Sequence, residues 1–169
     1  MKATYLDLIT RLKTHTSTTG KIAWYDLWNN QPNNMDKEDP FPYPAVFFDF
    51  GTINWREVQY GVQEGDCTLR IIVVQDDYAN SDDSSNNQAS ALSVLDLLQD
   101  INKALNGYSS THLRRLVRTA STIDSDHDAS RIDIIEYQCT MLDCSTSTNI
   151  YTATQLTGAD IVVTPNTVP

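Results

Sequence analysis

The sequence predicts an α+β fold: a largely antiparallel β-sheet with two α-helices packed on it. Two observations carry this prediction. Two segments place apolar residues at helical spacing, and several shorter segments alternate apolar and polar residues with the two-residue period of a strand. The chain has 169 residues, which suits one domain that buries about 70% of its unfolded-chain surface without disulfides or metals.

The first helix is predicted near the amino terminus, where four residues share one helical face: Tyr5, Leu8, Ile9 and Leu12. We expect it to end in the hydroxyl-rich run 14–20, because such side chains compete with the helical backbone and Gly20 breaks it. Residues 28–44 contain four prolines, which remove backbone donors and keep the chain extended. That segment is therefore predicted to be a loop.

Strand signals follow the loop. Two short alternating runs comprise Val46, Phe48, Phe50 and then Val58, Tyr60, Val62. A turn is expected at residues 64–66, leading into the clearest strand, whose members on one face are Cys67, Leu69, Ile71 and Val73. Because Ile72 and Val74 are apolar as well, we expect the far end of this strand to be covered on both faces.

The second helix is predicted from Ala89 to Leu105 and ends at Asn106-Gly107, a common C-terminal stop. Its polar stripe is narrow and consists of Ser93, Asp96, Asp100 and Lys103. Nearly all the rest of its circumference is apolar, which requires cover on more than one side. We expect another subunit to supply part of that cover.

The next strand changes phase. Ile132 and Ile134 share one phase, and the apolar residues from Ile135 to Met141 take the opposite one. One extra residue in a strand reverses every later side chain, so the pattern predicts a β-bulge. The preceding segment, residues 113–123, has weak strand character because its arginines spoil the alternation.

The last part of the chain differs in composition. After Cys144 it is rich in Ser, Thr and Asn, and it contains no Lys or Arg. We expect a single domain over residues 1–144 and an arm over residues 145–169. The arm has weak strand character at Ile161, Val162 and Val163.

The charge balance argues against two classes of partner. Twelve Lys and Arg against 22 Asp and Glu give a formal net charge of −10, whereas non-specific nucleic-acid binding and docking on anionic membranes both require a basic field. The chain has three cysteines and no CxxC pair, and an odd number does not suit a disulfide framework. Asp7 and Arg11 interrupt the hydrophobic region that a secretory signal peptide would need. We therefore expect synthesis in a reducing cytosol.

The sequence contains no motif for nucleophilic catalysis, phosphate cradling or structural zinc, so we expect no catalytic residue, cofactor or metal. Acids cluster after the clearest strand, at Asp76, Asp77, Asp82 and Asp83, and again at 124–128. Neither cluster has the glycine and closing glutamate of an EF-hand loop, and solvated loop acids explain both. A small metal-dependent enzyme using these acids stays open as an alternative.

Two sets of residues are candidates for subunit contacts. The basic cluster of Arg114, Arg115 and Arg118 is interpreted as pairing with acids of the same or a neighbouring chain, which would fix subunit register. The loop aromatics Trp28, Phe41 and Tyr43 either anchor an interface or fold back over the sheet edge, and both alternatives stay open. A binding module that docks a peptide or glycan on these aromatics is a further alternative.

The order of the segments carries a resemblance. After a short helix and a proline-rich entry come four marked stretches: Pro44–Phe50, Leu69–Val74, Ala104–Gly107 and Tyr137–Asp143. Over residues 1–144 this pattern resembles the tail terminator (tail completion) family of tailed bacteriophages and related neck proteins. The family is not defined by catalytic residues, so no signature residue is carried over, and residues 145–169 fall outside the pattern.

The resemblance implies a non-enzymatic virion protein that forms a ring, commonly of six subunits, at the end of the tail tube. Such a ring terminates tail polymerisation and joins the tail to the head, with the tail tube protein and a head–tail connector as partners. DNA passes through its hole without specific binding, and the loop acids named above are candidates for an acidic lumen or a partner-facing surface. It is assembled in the bacterial cytoplasm and has no membrane contact. Another ring protein of the head–tail junction is the alternative.

Overall fold

A computed structural model of the chain describes residues 1–15, 22–31, 41–59, 61–76, 82–86, 88–124 and 130–146. It contains two helices and six strands in this order: α1 (Lys2–His15), β1 (Trp24–Leu27), β2 (Ala45–Asp49), β3 (Asn54–Gln59), β4 (Val62–Gln75), α2 (Gln88–Leu105), β5 (Val117–Asp124) and β6 (Arg131–Asp143). The predicted α+β class is confirmed. The arm beyond residue 146, including Ile161, Val162 and Val163, lies outside the described residues.

The sheet is organised around its two long strands, β4 and β6. The strand order is β1-β2-β4-β6-β5, and β3 also pairs with β4. β2 and β3 lie one after the other along the same edge of β4: β2 pairs with residues 70–74 and β3 with residues 62–66. Only the pairing of β1 with β2 is parallel, so the sheet is largely antiparallel as expected.

One face of the sheet is covered by both helices. α1 buries Leu8 and Leu12, and α2 buries Leu97 and Ile101, against the alternating side chains of the strands. The strand residues of this core are Val46, Phe48, Cys67, Leu69, Ile71, Val73, Ile135, Tyr137, Cys139 and Met141. The helices form where the 3.6-residue period predicted them, and Gly107, with φ of 84°, ends α2.

The opposite face carries a smaller cluster at one end of the sheet. Its buried members are Phe41, Ala45, Phe47, Ile72, Val74 and Ile132. This confirms that the far end of β4 is covered on both faces. It also explains why the alternation breaks down there, since a strand buried on both sides needs apolar residues in both phases.

Two expectations about local structure were wrong. Residues 64–66 lie inside β4 and form no turn; the chain instead turns at Gly61, whose φ is 81°. Val58 and Val62 therefore lie on two antiparallel strands, β3 and β4, and not on one.

The bulge predicted for β6 is not there. All thirteen residues of β6 pair with β4 in unbroken register, from Arg131 to Asp143. Ile132 belongs to the small cluster and Ile135 to the large one, so the change of phase reflects two covered faces. A register shift lies instead in β5, between Arg118 and Ala120.

No helix among the described residues is both long and apolar enough to cross a bilayer.

Candidate assembly interface

The described residues leave part of the second helix uncovered. Leu97 and Ile101 are buried in the core against the sheet, whereas Leu92 is 41% and Leu95 is 51% exposed. The sequence predicted that this helix needs cover on more than one side, and the described chain leaves these two leucines without it. Leucines exposed to this extent on adjacent turns of a helix are a candidate contact for another molecule.

A groove of about 510 Å³ separates α2 from β5 and the start of β6. Leu95 and Leu98 line it from the helix, and Ile123 and Ile135 line it from the sheet. Ile123 is 62% exposed, so it adds an open apolar side chain to a groove that Arg118 and Arg131 also line. We call Leu92, Leu95 and Ile123 with this groove the α2–β5 surface.

β5 ends the sheet on this side. Among the described residues no strand pairs with its outer edge, although the backbone N–H of Arg118 donates to Oδ1 of Asn106 at 3.1 Å. Six of its eight residues are exposed, namely Val117, Arg118, Thr119, Ser121, Thr122 and Ile123. The strand therefore combines a free edge with an open apolar side chain beside the groove.

A second set of exposed apolar side chains lies on the opposite side of β4, and the two in β1 point to opposite faces of the sheet. In β1, Trp24 is 41% and Leu27 is 49% exposed; in β3, Trp55 is 40% and Val58 is 54% exposed. β1 ends the sheet at the edge opposite β5. We call these four residues the β1–β3 surface. None of the four was predicted to be a contact residue, although Trp24 and Leu27 stand in a short apolar segment before the loop.

The predicted basic cluster divides between two environments. Arg114 forms an ion pair with Glu64, and the other oxygen of that carboxylate accepts from Arg56 at 2.8 Å. Arg56 also donates to Asp66 at 2.5 Å. Arg114 thus pairs within the chain, one of the two alternatives left open. Arg115 and Arg118 are exposed, and Arg118 lines the groove.

Glu64 is the buried centre of this network, with only 7% of the residue exposed. The hydrogen bonds from Arg114 lower the pKa of its carboxyl, and Arg56 acts in the same direction. The network holds β3, β4 and the segment before β5 together, since its members come from all three.

The loop aromatics fold back on the sheet. Phe41 is 8% exposed, and its ring stacks edge-on against Phe47 at 5.1 Å and Tyr43 at 5.3 Å. Trp28 lies 5.8 Å from the ring of Phe47. Phe41 is thereby occupied within its own chain, whereas Trp28 and Tyr43 are half-buried and keep part of their surface outside.

Two of the acidic residues, Asp76 and Asp124, lie at one end of the sheet. Asp76 follows Gln75, which pairs with Arg131, and Asp124 pairs with Ile132, so both acids flank the start of β6. Asp76, Asp82 and Asp83 are exposed; Asp77 lies outside the described residues. Hydrogen bonds from Ser84 lower the pKa of Asp82. In the part of the chain that the structure describes, no three His, Cys, Asp or Glu side chains converge as metal ligands do.

Comparison with solved structures shows a distant likeness to a virion protein chain. No family model and no curated protein matches the sequence. Among solved structures, the chain is similar to a chain in the virion of a native gene transfer agent particle, with a TM-score of 0.41 and 16% sequence identity. The match covers 79% of this chain and 91% of that one.

Proposed function

We propose that this protein is a structural, non-enzymatic subunit of a tailed-phage-like virion that closes into a ring at the end of the tail tube or in the neck. The observation that carries the proposal is the exposure of large apolar side chains on both sides of β4, in the α2–β5 surface and in the β1–β3 surface. A subunit with two different contact surfaces joins head to tail with its copies, and such contacts form a ring when the rotation closes.

The order of elements supports the assignment to a tail terminator or another neck ring. The short first helix, the proline-containing loop, the β-hairpin, the long second helix and the closing strands follow one another in the order on which the resemblance was based. The ring is expected to have six subunits, to end tail polymerisation, and to contact the tail tube protein on one face and the head–tail connector on the other.

The charge distribution supports a role in DNA passage. The net charge is −10, and Asp76, Asp82 and Asp83 lie exposed on the same connection. If this end of the sheet faces the lumen, its negative charge keeps the DNA backbone from adhering, because binding to phosphates requires a basic surface.

The carboxyl-terminal arm, residues 145–169, is proposed to add a strand to the sheet edge of a neighbouring subunit. β5 offers an unpaired edge among the described residues, and strand addition to such an edge is a common mode of recognition. Deleting residues 147–169 is expected to lower the oligomer mass; an unchanged assembly would remove the arm from the proposal.

The test of the ring uses two double variants. Leu92→Ser/Leu95→Ser damages only the α2–β5 surface, and Leu27→Ser/Val58→Ser damages only the β1–β3 surface. In light scattering coupled to size-exclusion chromatography, the wild-type chain is expected to elute as one closed oligomer and each double variant as a monomer. Leu6→Ser, which changes a leucine 49% exposed on α1, is the matched control and is expected to assemble.

Mixing the two double variants gives the decisive result. Each retains the surface that the other has lost, so a head-to-tail contact predicts a dimer in the mixture and nothing larger. A wild-type chain that stays monomeric at all concentrations would overturn the ring. If the mixture regains the full oligomer, or if both double variants assemble as the wild-type chain does, these surfaces are not the contact.

The place in the virion is tested separately. The wild-type ring, added to polymerising tail tube protein, is expected to shorten the tubes seen by electron microscopy, whereas the monomeric variants leave their length unchanged. A ring that assembles but does not affect the tubes would point to another position at the head–tail junction.

A further inference from the structure

Two thiols meet in the middle of the core. Cys67 of β4 and Cys139 of β6 are register partners in the antiparallel ladder, and their Sγ atoms lie 3.0 Å apart. Directly opposed residues of such a ladder have Cα atoms about 4.5–5.5 Å apart, which falls inside the range of about 4.4–6.8 Å that a disulfide spans. The register therefore places the two sulfurs within reach of a bond.

We propose that Cys67 and Cys139 form an intramolecular disulfide when the protein meets a low-molecular-weight disulfide such as oxidised glutathione. The third cysteine, Cys144, is exposed and follows β6. The inference depends on the geometry of β4 and β6 alone, and it holds whether or not the ring forms.

The reaction is two thiol–disulfide exchanges. The thiolate of Cys67 attacks one sulfur of oxidised glutathione and forms a mixed disulfide, and one glutathione thiolate leaves. The Cys139 thiol loses its proton and attacks the Cys67 sulfur of that mixed disulfide, which releases the second glutathione. The protein loses two protons and two electrons, and one oxidised glutathione becomes two reduced molecules.

The contact between the thiols favours this order of attack. The hydrogen bond with Cys139 lowers the pKa of Cys67, because a thiolate at position 67 is stabilised by the thiol proton of its partner. The same contact, together with burial, raises the pKa of Cys139. When the folded strands open locally with the thiols still in contact, Cys67 is therefore the first nucleophile and Cys139 resolves the mixed disulfide; before the strands pair, either thiol can attack first.

Burial makes the reaction dependent on folding. Cys67 is 3% and Cys139 is 2% exposed, so oxidised glutathione does not reach either sulfur while β4 and β6 are paired and covered by the helices. We expect the disulfide to form rapidly during folding. In the folded chain we expect it to form slowly, because the local opening of β4 and β6 limits the rate. In a reducing cytosol both thiols stay reduced, and in an oxidising medium the two central strands become cross-linked.

The test uses the Cys144→Ala variant, so that the buried pair are the only thiols. The variant is refolded in a buffer of reduced and oxidised glutathione, quenched with acid, denatured and alkylated. Intact mass is expected to be lower than that of the reduced chain by two hydrogen atoms, with no alkyl group added. A non-reduced digest is expected to contain the peptides of Cys67 and Cys139 joined, and thermal unfolding to shift upward by on the order of 5 °C.

Two single-thiol variants are the controls. Cys67→Ala/Cys144→Ala and Cys139→Ala/Cys144→Ala are expected to end as free thiols or as mixed disulfides with glutathione, never with the mass of the closed form. Circular dichroism of the reduced Cys144→Ala chain checks that it folds before oxidation. Complete alkylation of both thiols after refolding, a stable mixed disulfide at either position, or loss of the fold on oxidation would each overturn the proposal.

Discussion

Trp55 lies over Gly65, its register partner across β3 and β4. A Cβ built on Gly65 would stand 2.8 Å from Cε3 of the Trp55 ring and 2.5 Å from Cγ2 of Ile53. The glycine that suggested a turn in the sequence is thus placed in the middle of a strand, where the close approach of an aromatic ring leaves no room for a side chain.

Gly65→Ala is expected to lower the free energy of unfolding by about 1–3 kcal/mol, because the new methyl group overlaps Trp55 and Ile53. Urea denaturation measures the effect, with Ser121→Ala, on the exposed part of β5, as a control expected to change little. In a Trp55→Ala background the same glycine substitution should be less harmful, since half of the clash is gone. An equal loss in both backgrounds would contradict the packing described here.

Glu64→Gln tests the buried ion pair. The substitution removes the charge that Arg114 and Arg56 neutralise and is expected to lower the free energy of unfolding at neutral pH by about 1–3 kcal/mol. The pKa of Glu64 is lowered in the folded chain, so its stabilising effect is present above the unfolded pKa of about 4.3 and is lost as pH falls through the lower folded value.

The difference between wild type and Glu64→Gln should therefore narrow when urea denaturation is repeated in acid, below about pH 3. Asp96→Asn, at an exposed position of α2, removes the same charge and is expected to change stability by less than about 0.5 kcal/mol. If the difference in the free energy of unfolding between wild type and Glu64→Gln does not change with pH, the arginines do not stabilise the ionised carboxylate of Glu64.

Two leucines of α2 provide a matched pair. Leu97 is 3% exposed and Leu95 is 51% exposed, although they are two residues apart in one helix. Leu97→Ala is expected to lower the free energy of unfolding by about 2–5 kcal/mol through the cavity it leaves. Leu95→Ala, measured at a concentration where the chain is monomeric, is expected to lower it by less than about 0.5 kcal/mol. Similar losses at both positions would indicate that α2 is rotated relative to the sheet.

The buried hydroxyl of Tyr137 makes the stability of the large core dependent on pH in the alkaline range. Its side chain is fully buried, its hydroxyl donates to Oδ1 of Asn102 at 3.3 Å, and burial raises its pKa well above the usual value. Tyr137→Phe is expected to lower the free energy of unfolding near neutrality by about 0.5–1.5 kcal/mol.

The effect of that substitution should reverse in base. Since the folded pKa of Tyr137 is raised, its stabilising contribution is complete below the unfolded pKa of about 10 and is lost as pH rises above it. The stability of Tyr137→Phe relative to wild type should therefore improve between about pH 9 and about pH 11. Unfolding curves at the two pH values measure the change, and a relative stability independent of pH would contradict it.

The elements that the sequence predicted are those with a sustained apolar period. The face of α1 at Leu8 and Leu12, the span of α2 and the alternation of β4 from Cys67 to Val73 all matched the structure, because period alone identifies the element. The predictions were wrong where one sequence pattern fits two different structures. The phase change in β6 fits a bulge or a strand covered on both faces, and only the position of Ile132 in the second cluster separates them.

The sequence predicted that α2 contacts a partner, but not which of its residues form the contact. The excess apolar surface of α2 indicated a missing partner, yet nothing in the chain distinguishes Leu95 from Leu97 until the sheet lies under one of them. The aromatic Phe41, a candidate contact, turned out to be buried, whereas Trp24 and Trp55 at the other side of the sheet are exposed. Burial depends on neighbours distant in sequence, which a local pattern does not contain.

The amino-acid sequence by itself determined the class of fold, the two helices, the central strand and the acidic character of the chain, since periodicity and charge are properties of consecutive residues. The tertiary structure decided which apolar residues stay uncovered, that Glu64 is enclosed by two arginines, and that Cys67 stands opposite Cys139. These relationships arise from strand register, which pairs residues 72 positions apart and is fixed only when the sheet forms.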